Sequence, residues 1–176
     1  MDTHVLASGC AAADTDTSTD CPTVLTPSTT TIAERDVIKL ESSVPLAGKV
    51  FILHDHKTGR VLTLLDGHVS LQPPGTPGSA YRWMCEEREG WLGFKNIASG
   101  TYLGHNFWGD VCAAAHQHMG WENFCVRIQP NGGYVLLMTH WAQLWPLKQK
   151  DEGGMQKLLK AEAPVKDGNV WVFVEV

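Results

Sequence analysis

Gly90 to Val111 reads GWLGFKNIASGTYLGHNFWGDV, two apolar runs on either side of the polar turn NIASG. Taken alone it invites an active-site reading, with His105, Trp108 and Asp110 crowded into its second half. Two other stretches change that reading. Phe51 to Leu62, FILHDHKTGRVL, and Tyr134 to Trp145, YVLLMTHWAQLW, align without gaps on Leu92 to Leu103, LGFKNIASGTYL. Leu53, Phe94 and Leu136 coincide, 41 and 42 residues apart. Gly59, Gly100 and Ala142 meet at the turn, and Leu62, Leu103 and Trp145 beyond it. Internal repeats of this kind set the frame for every later assignment.

A second set of matches closes each unit. RWMCE, NFCVR and VWVFV place Trp83, Phe124 and Trp171 in the same position. Trp145 joins them here as an expected core residue. Each apolar run is short and bounded by Gly, Pro, Asn or Asp, the signature of strands and turns. Three units of about forty residues with about four strands each predict an all-β fold, a β-trefoil, because one unit alone cannot bury its apolar faces. A propeller would need four or more blades.

The pattern FKNIASGTYLGHNFWGDVCAA…WENFCVRIQPNGGYVLL, best over Trp91 to Leu137, resembles the fascin-like branch of β-trefoil proteins. The resemblance covers most of residues 48–176 and weakens in the third unit, which carries the insertion KQKDEGGMQK. It implies an intracellular binding role, with actin among the partners, although the best-known members use several trefoils in tandem and this chain has one. The chain also resembles small stand-alone fungal trefoils. The Q-x-W motif of ricin-type trefoil lectins is missing from all three units.

Composition supports the same class. The 176 residues suit one sizeable domain, and a formal net charge of −5 gives no basic face for nucleic acid. No apolar run approaches the roughly 20 residues of a membrane span, so neither nucleic acid nor membrane is expected as a partner. The start of the chain has no basic n-region or apolar h-region, which points to the cytoplasm. Five cysteines in no zinc-type spacing read as free thiols in a reducing compartment. Residues 1–45 are rich in Thr, Ser, Asp and Pro and read as a flexible or partly docked N-terminal arm. Residues 46–176 form the trefoil domain.

Several residues outlast the repeat as functional candidates. His54/His56 and His116/His118 each form an H-x-H that could offer two nitrogens to a metal, but polar turn positions account for both pairs without one, so no metal or other cofactor is expected. His105 and Asp110 flank one turn and could form an acid–base pair. Trp108 sits in a turn without a counterpart in the first unit, and Trp141 at the turn of the third, preceded by His140. Tryptophans at turn tips are poorly explained by core packing and suit a stacking platform or an interface anchor. Trp91 and Trp121 fit either role. His105, Trp108, Asp110, His140 and Trp141 are therefore the expected ligand-binding residues, with no catalytic residue assigned. The favoured function is a non-catalytic module that binds a protein or small-molecule ligand through asymmetric trefoil loops. The alternatives are an isomerase- or cyclase-type enzyme with His and Trp in a pocket, and an oligomer held by the arm.

Overall fold

A computed structural model of the chain describes residues 41–152 and 155–176. The arm up to residue 40, with Cys10 and Cys21, and the tip of the third-unit insertion lie outside the described residues. Twelve strands follow in order: β1 (Val50–Asp55), β2 (Val61–Leu65), β3 (His68–Gln72), β4 (Trp83–Arg88), β5 (Trp91–Asn96), β6 (Tyr102–His105), β7 (Val111–Ala115), β8 (Phe124–Ile128), β9 (Tyr134–His140), β10 (Gln143–Glu152), β11 (Met155–Lys160) and β12 (Val170–Glu175). Two short 3-10 turns, Gly120–Glu122 and Val165–Asp167, lie in the connections. Among the described residues no helix is long and apolar enough to cross a membrane.

The pairings close a ring. β1 pairs with β4, β4 with β5, β5 with β8, β8 with β9, β9 with β12, and β12 returns to β1, all antiparallel. Closure leaves this six-stranded barrel no free edge. The remaining strands form three hairpins, β2–β3, β6–β7 and β10–β11. They meet pairwise through β3, β7 and β11 and cap one end of the barrel. A closed barrel with a triangular cap of three hairpins, one from each repeat, is the β-trefoil.

The repeat positions fill the core. Leu53, Phe94 and Leu136 are fully buried, as are Trp83, Phe124 and Trp171. Phe173 packs against Phe51, Phe94 and Tyr134 with ring centroids 5.6–5.7 Å apart. Asp55 pairs in register with Trp171, Asn96 with Trp83, and Met138 with Phe124. In the first two units the Asp or Asn side chain folds the next turn. Asp55 Oδ2 accepts from Thr58 N at 2.9 Å, and Asn96 Oδ1 from Ala98 N and Ser99 N at 3.1 and 3.2 Å.

The third unit has Met138 at that place and no side-chain acceptor, so its strand runs on. β9 extends to His140, and Trp141–Ala142 is a two-residue hairpin with Gln143 opposite His140. The gapless alignment of the third unit therefore fails beyond the turn. Leu147, not Trp145, is the fully buried counterpart of Leu62 and Leu103. Trp145 is only half-buried and stacks on His140 at 3.7 Å between ring centroids. This two-residue shift takes Trp145 out of the core and lays it against His140 and Lys160.

The last described part of the arm lies on the barrel. Ser43 N donates to Phe173 O at 2.7 Å, and Phe173 N to Ser42 Oγ at 3.0 Å.

Candidate functional site

Between the second and third units lies a half-open cleft of about 580 Å³. β5 contributes Trp91 at its start, β6 ends in it with His105, and the β6–β7 turn adds Phe107. The 3-10 turn and the residue after it bring Gly120, Trp121 and Asn123. The opposite wall is Thr139, His140 and Trp141 from β9 and its hairpin, and Lys160 ends β11.

Local sequence explains how these groups converge. Gly104 permits the 3-10 turn to lie against β6. A Cβ there would come within 2.9 Å of Glu122 Oε1 and 3.0 Å of Trp121 O. Glu122 is buried in that seat, where its Oε2 accepts from Met119 N at 3.1 Å, and burial pushes its carboxyl pKa up. Trp121 is thereby laid over His105, centroids 5.5 Å apart and planes 25° from parallel. Asn106 shapes the next turn, its Oδ1 accepting from Trp108 N and Asp110 N at 2.9 Å each. On the far wall Trp141 is 93% exposed and holds a left-handed backbone, φ 52°. A bulky residue in that region is strained, and such strain gathers where a side chain is displayed for use.

The floor of the cleft is polar. His105 is 6% exposed, its Nδ1 lies 2.8 Å from Asn106 O and its Nε2 2.9 Å from Lys160 Nζ. A proton on Nδ1 satisfies the carbonyl and leaves the Nε2 lone pair to accept from the lysine. Desolvation lowers the pKa of His105; the bond to Asn106 opposes this, and the Lys160 charge adds to it. Lys160 is also 6% exposed, and its Nζ donates to Thr139 O at 3.2 Å. It lies 5.7 Å from the Trp145 ring centroid. Burial pulls its pKa down to about 8. Among the described residues no carboxylate lies within ion-pair distance of it.

Of the expected residues, His105, His140 and Trp141 meet in this cleft. Trp108 is 82% exposed, packs edge-to-face on Phe107 and lies outside the lining. Asp110 does not pair with His105. Its Oδ1 holds Lys157 Nζ at 2.7 Å and its Oδ2 accepts from Asn106 Nδ2, clamping the β6–β7 turn to β11. Lysine and the turn amide both lower its pKa. Of the two histidines of the second H-x-H pair, His116 is exposed, while His118 is buried against Gly93 and stacked on Tyr102. No group of three or more His, Cys, Asp or Glu among the described residues is arranged to hold a metal. Cys85 is buried in the core, where desolvation first and Glu87 and Glu86 next push its thiol up to about 11. Cys112 and Cys125 are half-buried and also raised by burial. Sequence reasoning missed Phe107, Asn123, Thr139 and above all Lys160. KLLKAE resembles any amphipathic strand end, and only the docking of the end of β11 on the β6–β7 turn, where Lys160 N donates to Gly109 O at 2.8 Å, makes its last lysine a floor residue.

No family model matches the chain, and no curated protein does. Solved structures do match in fold. A designed threefold-symmetric protein, ThreeFoil, aligns with a TM-score of 0.58 at 13% identity, over 72% of this chain and 99% of its own. A GlcNAcα1-4Gal-releasing endo-β-galactosidase from Clostridium perfringens aligns with a TM-score of 0.60 at 16% identity, over 73% of this chain and 32% of its own. A GH43 β-1,3-galactosidase gives 0.61 at 10% identity, over 76% of this chain and 28% of its own. The chain thus spans about a third of each of those two enzymes, and at these identities the likeness is one of fold: this is a β-trefoil, threefold in plan, with one asymmetric aromatic cleft.

Proposed function

We propose that the protein is a non-catalytic binding module whose ligand is a small molecule with a flat apolar face, a pyranose or an aromatic ring, held in the cleft between the second and third units. The observation that carries this reading is the cleft's composition. Trp91, Trp121, Trp141 and Phe107 offer ring faces around a polar floor, and the lining holds no aspartate or glutamate. Aromatic walls with a few convergent polar groups are the ordinary make-up of a small-ligand site. Cleavage of a glycosidic bond in the usual way needs two carboxyl groups facing the scissile bond, and this lining supplies neither. Two of the solved structures of like fold are named for galactoside-cleaving activity, and a sugar is one of the ligands the cleft would suit. The fascin-like resemblance adds a protein partner, actin included, which filament co-sedimentation tests directly.

Calorimetric titration of neutral ring compounds, methyl pyranosides and indole-3-acetamide, tests the reading. Trp121→Ala and Trp141→Ala should each weaken binding about three- to tenfold, the worth of one stacking contact. Trp108→Ala, outside the lining, should leave it unchanged. Unchanged binding in both cleft variants overturns the assignment. The 2.9 Å contact between His105 and Lys160 favours the second reading, an isomerase- or cyclase-type enzyme, because an amine and an imidazole can exchange a proton. Chemical conversion of a bound ligand, followed by chromatography after long incubation, would select that reading.

A further inference from the structure

The floor of the cleft holds an incompletely partnered charge. An ammonium has three N–H donors. Among the described residues those of Lys160 find two acceptors, His105 Nε2 and Thr139 O, and beyond them the face of Trp145. A buried charge without a counter-charge is costly, and proteins seldom keep one unless something compensates it.

The surrounding charges are committed elsewhere. On β6, His105 is turned by Asn106 O so that it can only accept from the lysine. On β9, His140 stacks on Trp145, with its pKa lowered by desolvation and by Lys160. On β11 itself, Lys157 is held by Asp110. Glu122, on the 3-10 turn, faces Met119 N and Gly104, and Glu162 is exposed beyond β11. None of these supplies Lys160 with an anion.

We propose that the missing counter-charge belongs to the ligand: the cleft selects ring-shaped small molecules that carry a carboxylate, which Lys160 Nζ receives at the floor while Trp121 and Trp141 hold the ring. This deepens the binding reading and rests on it. His105 acts as a positioning residue that aims the ammonium. The aromatic walls exclude water from the ion pair, which strengthens it.

Matched pairs, one member of each carrying the carboxylate, test the inference: indole-3-acetate against indole-3-acetamide, and methyl glucuronoside against methyl glucoside. The acid of each pair should bind roughly tenfold tighter than its neutral partner, as for a charge-assisted hydrogen bond. In Lys160→Met the preference should vanish, and an unchanged circular dichroism spectrum with cooperative urea unfolding shows that the variant folds. In the unaltered protein the preference should fade as pH rises past about 8, where Lys160 loses its proton. Equal binding of acid and neutral partners, or a preference that survives Lys160→Met, overturns the inference and leaves the binding module standing. No binding of either partner at millimolar concentration removes both.

Discussion

Removing the amine of Lys160 should change how stability responds to alkaline pH. In the unfolded chain the group titrates near 10.5, and in the fold burial brings it to about 8. At neutral pH both states are protonated, and the folded state carries the cost of the buried ammonium. Each tenfold loss of proton affinity is worth about 1.4 kcal/mol, so that cost is about 3 kcal/mol. Between pH 8 and 10.5 the folded protein releases its proton before the unfolded chain does. The unfolded state then binds more protons, and stability rises with pH. Lys160→Met has no amine to titrate there. Urea unfolding of both proteins at about pH 7, 8, 9 and 10, under reducing conditions, isolates the effect, because other lysines, tyrosines and thiols cancel in the difference. Relative to the variant, the unaltered protein should gain about 2–3 kcal/mol from pH 7 to pH 10. A difference that stays flat over this range would mean that the amine is solvated, and the cleft floor would not be the low-dielectric site described above.

Other perturbations test neighbouring parts of the structure. Trp141→Gly should stabilise the fold by up to about 1 kcal/mol in thermal unfolding, because glycine relieves the left-handed backbone, and should weaken ring binding. Gly104→Ala should destabilise by about 1–3 kcal/mol, because its Cβ meets Glu122 Oε1 and Trp121 O at 2.9–3.0 Å; Trp121 would also lift from His105, seen as a changed emission spectrum. Asn96→Ala should cost about 1–2 kcal/mol in urea unfolding, since it removes the acceptor for two turn amides and the donor to Ala80 O. Below about pH 6.5 stability should fall, because buried His105 and His118 resist the proton that the unfolded chain takes up.

The repeat was legible because core and turn positions are local in kind. A large apolar residue, a small residue at a turn and an aromatic at the unit's end recur wherever the same backbone recurs. Leu53, Phe94 and Leu136, and Trp83, Phe124 and Trp171, are placed by that pattern alone, and the fold class follows from it. Trp141 could be singled out because a tryptophan at a turn tip contradicts its neighbourhood. The alignment failed at Trp145 because one substitution, Met138 for an Asp or Asn, removes the side chain that folds the turn, and the strand runs on by two residues.

Tertiary structure alone decided the site. Trp108 and Trp141 are alike in sequence, yet of the two only Trp141 borders the cleft; in the β6–β7 turn, clamped by Asp110 to Lys157, it is Phe107 that lines it. Asp110 stands near His105 in sequence but is claimed by β11. Lys160 is 55 residues from His105 along the chain and 2.9 Å from it in space. Its ordinary sequence context gives no hint of burial, since burial is imposed by distant groups that pack on it, His105, Thr139 and Trp145. Periodicity determines which faces pack inward; which polar side chains are trapped where two repeats meet depends on how unlike those repeats have become.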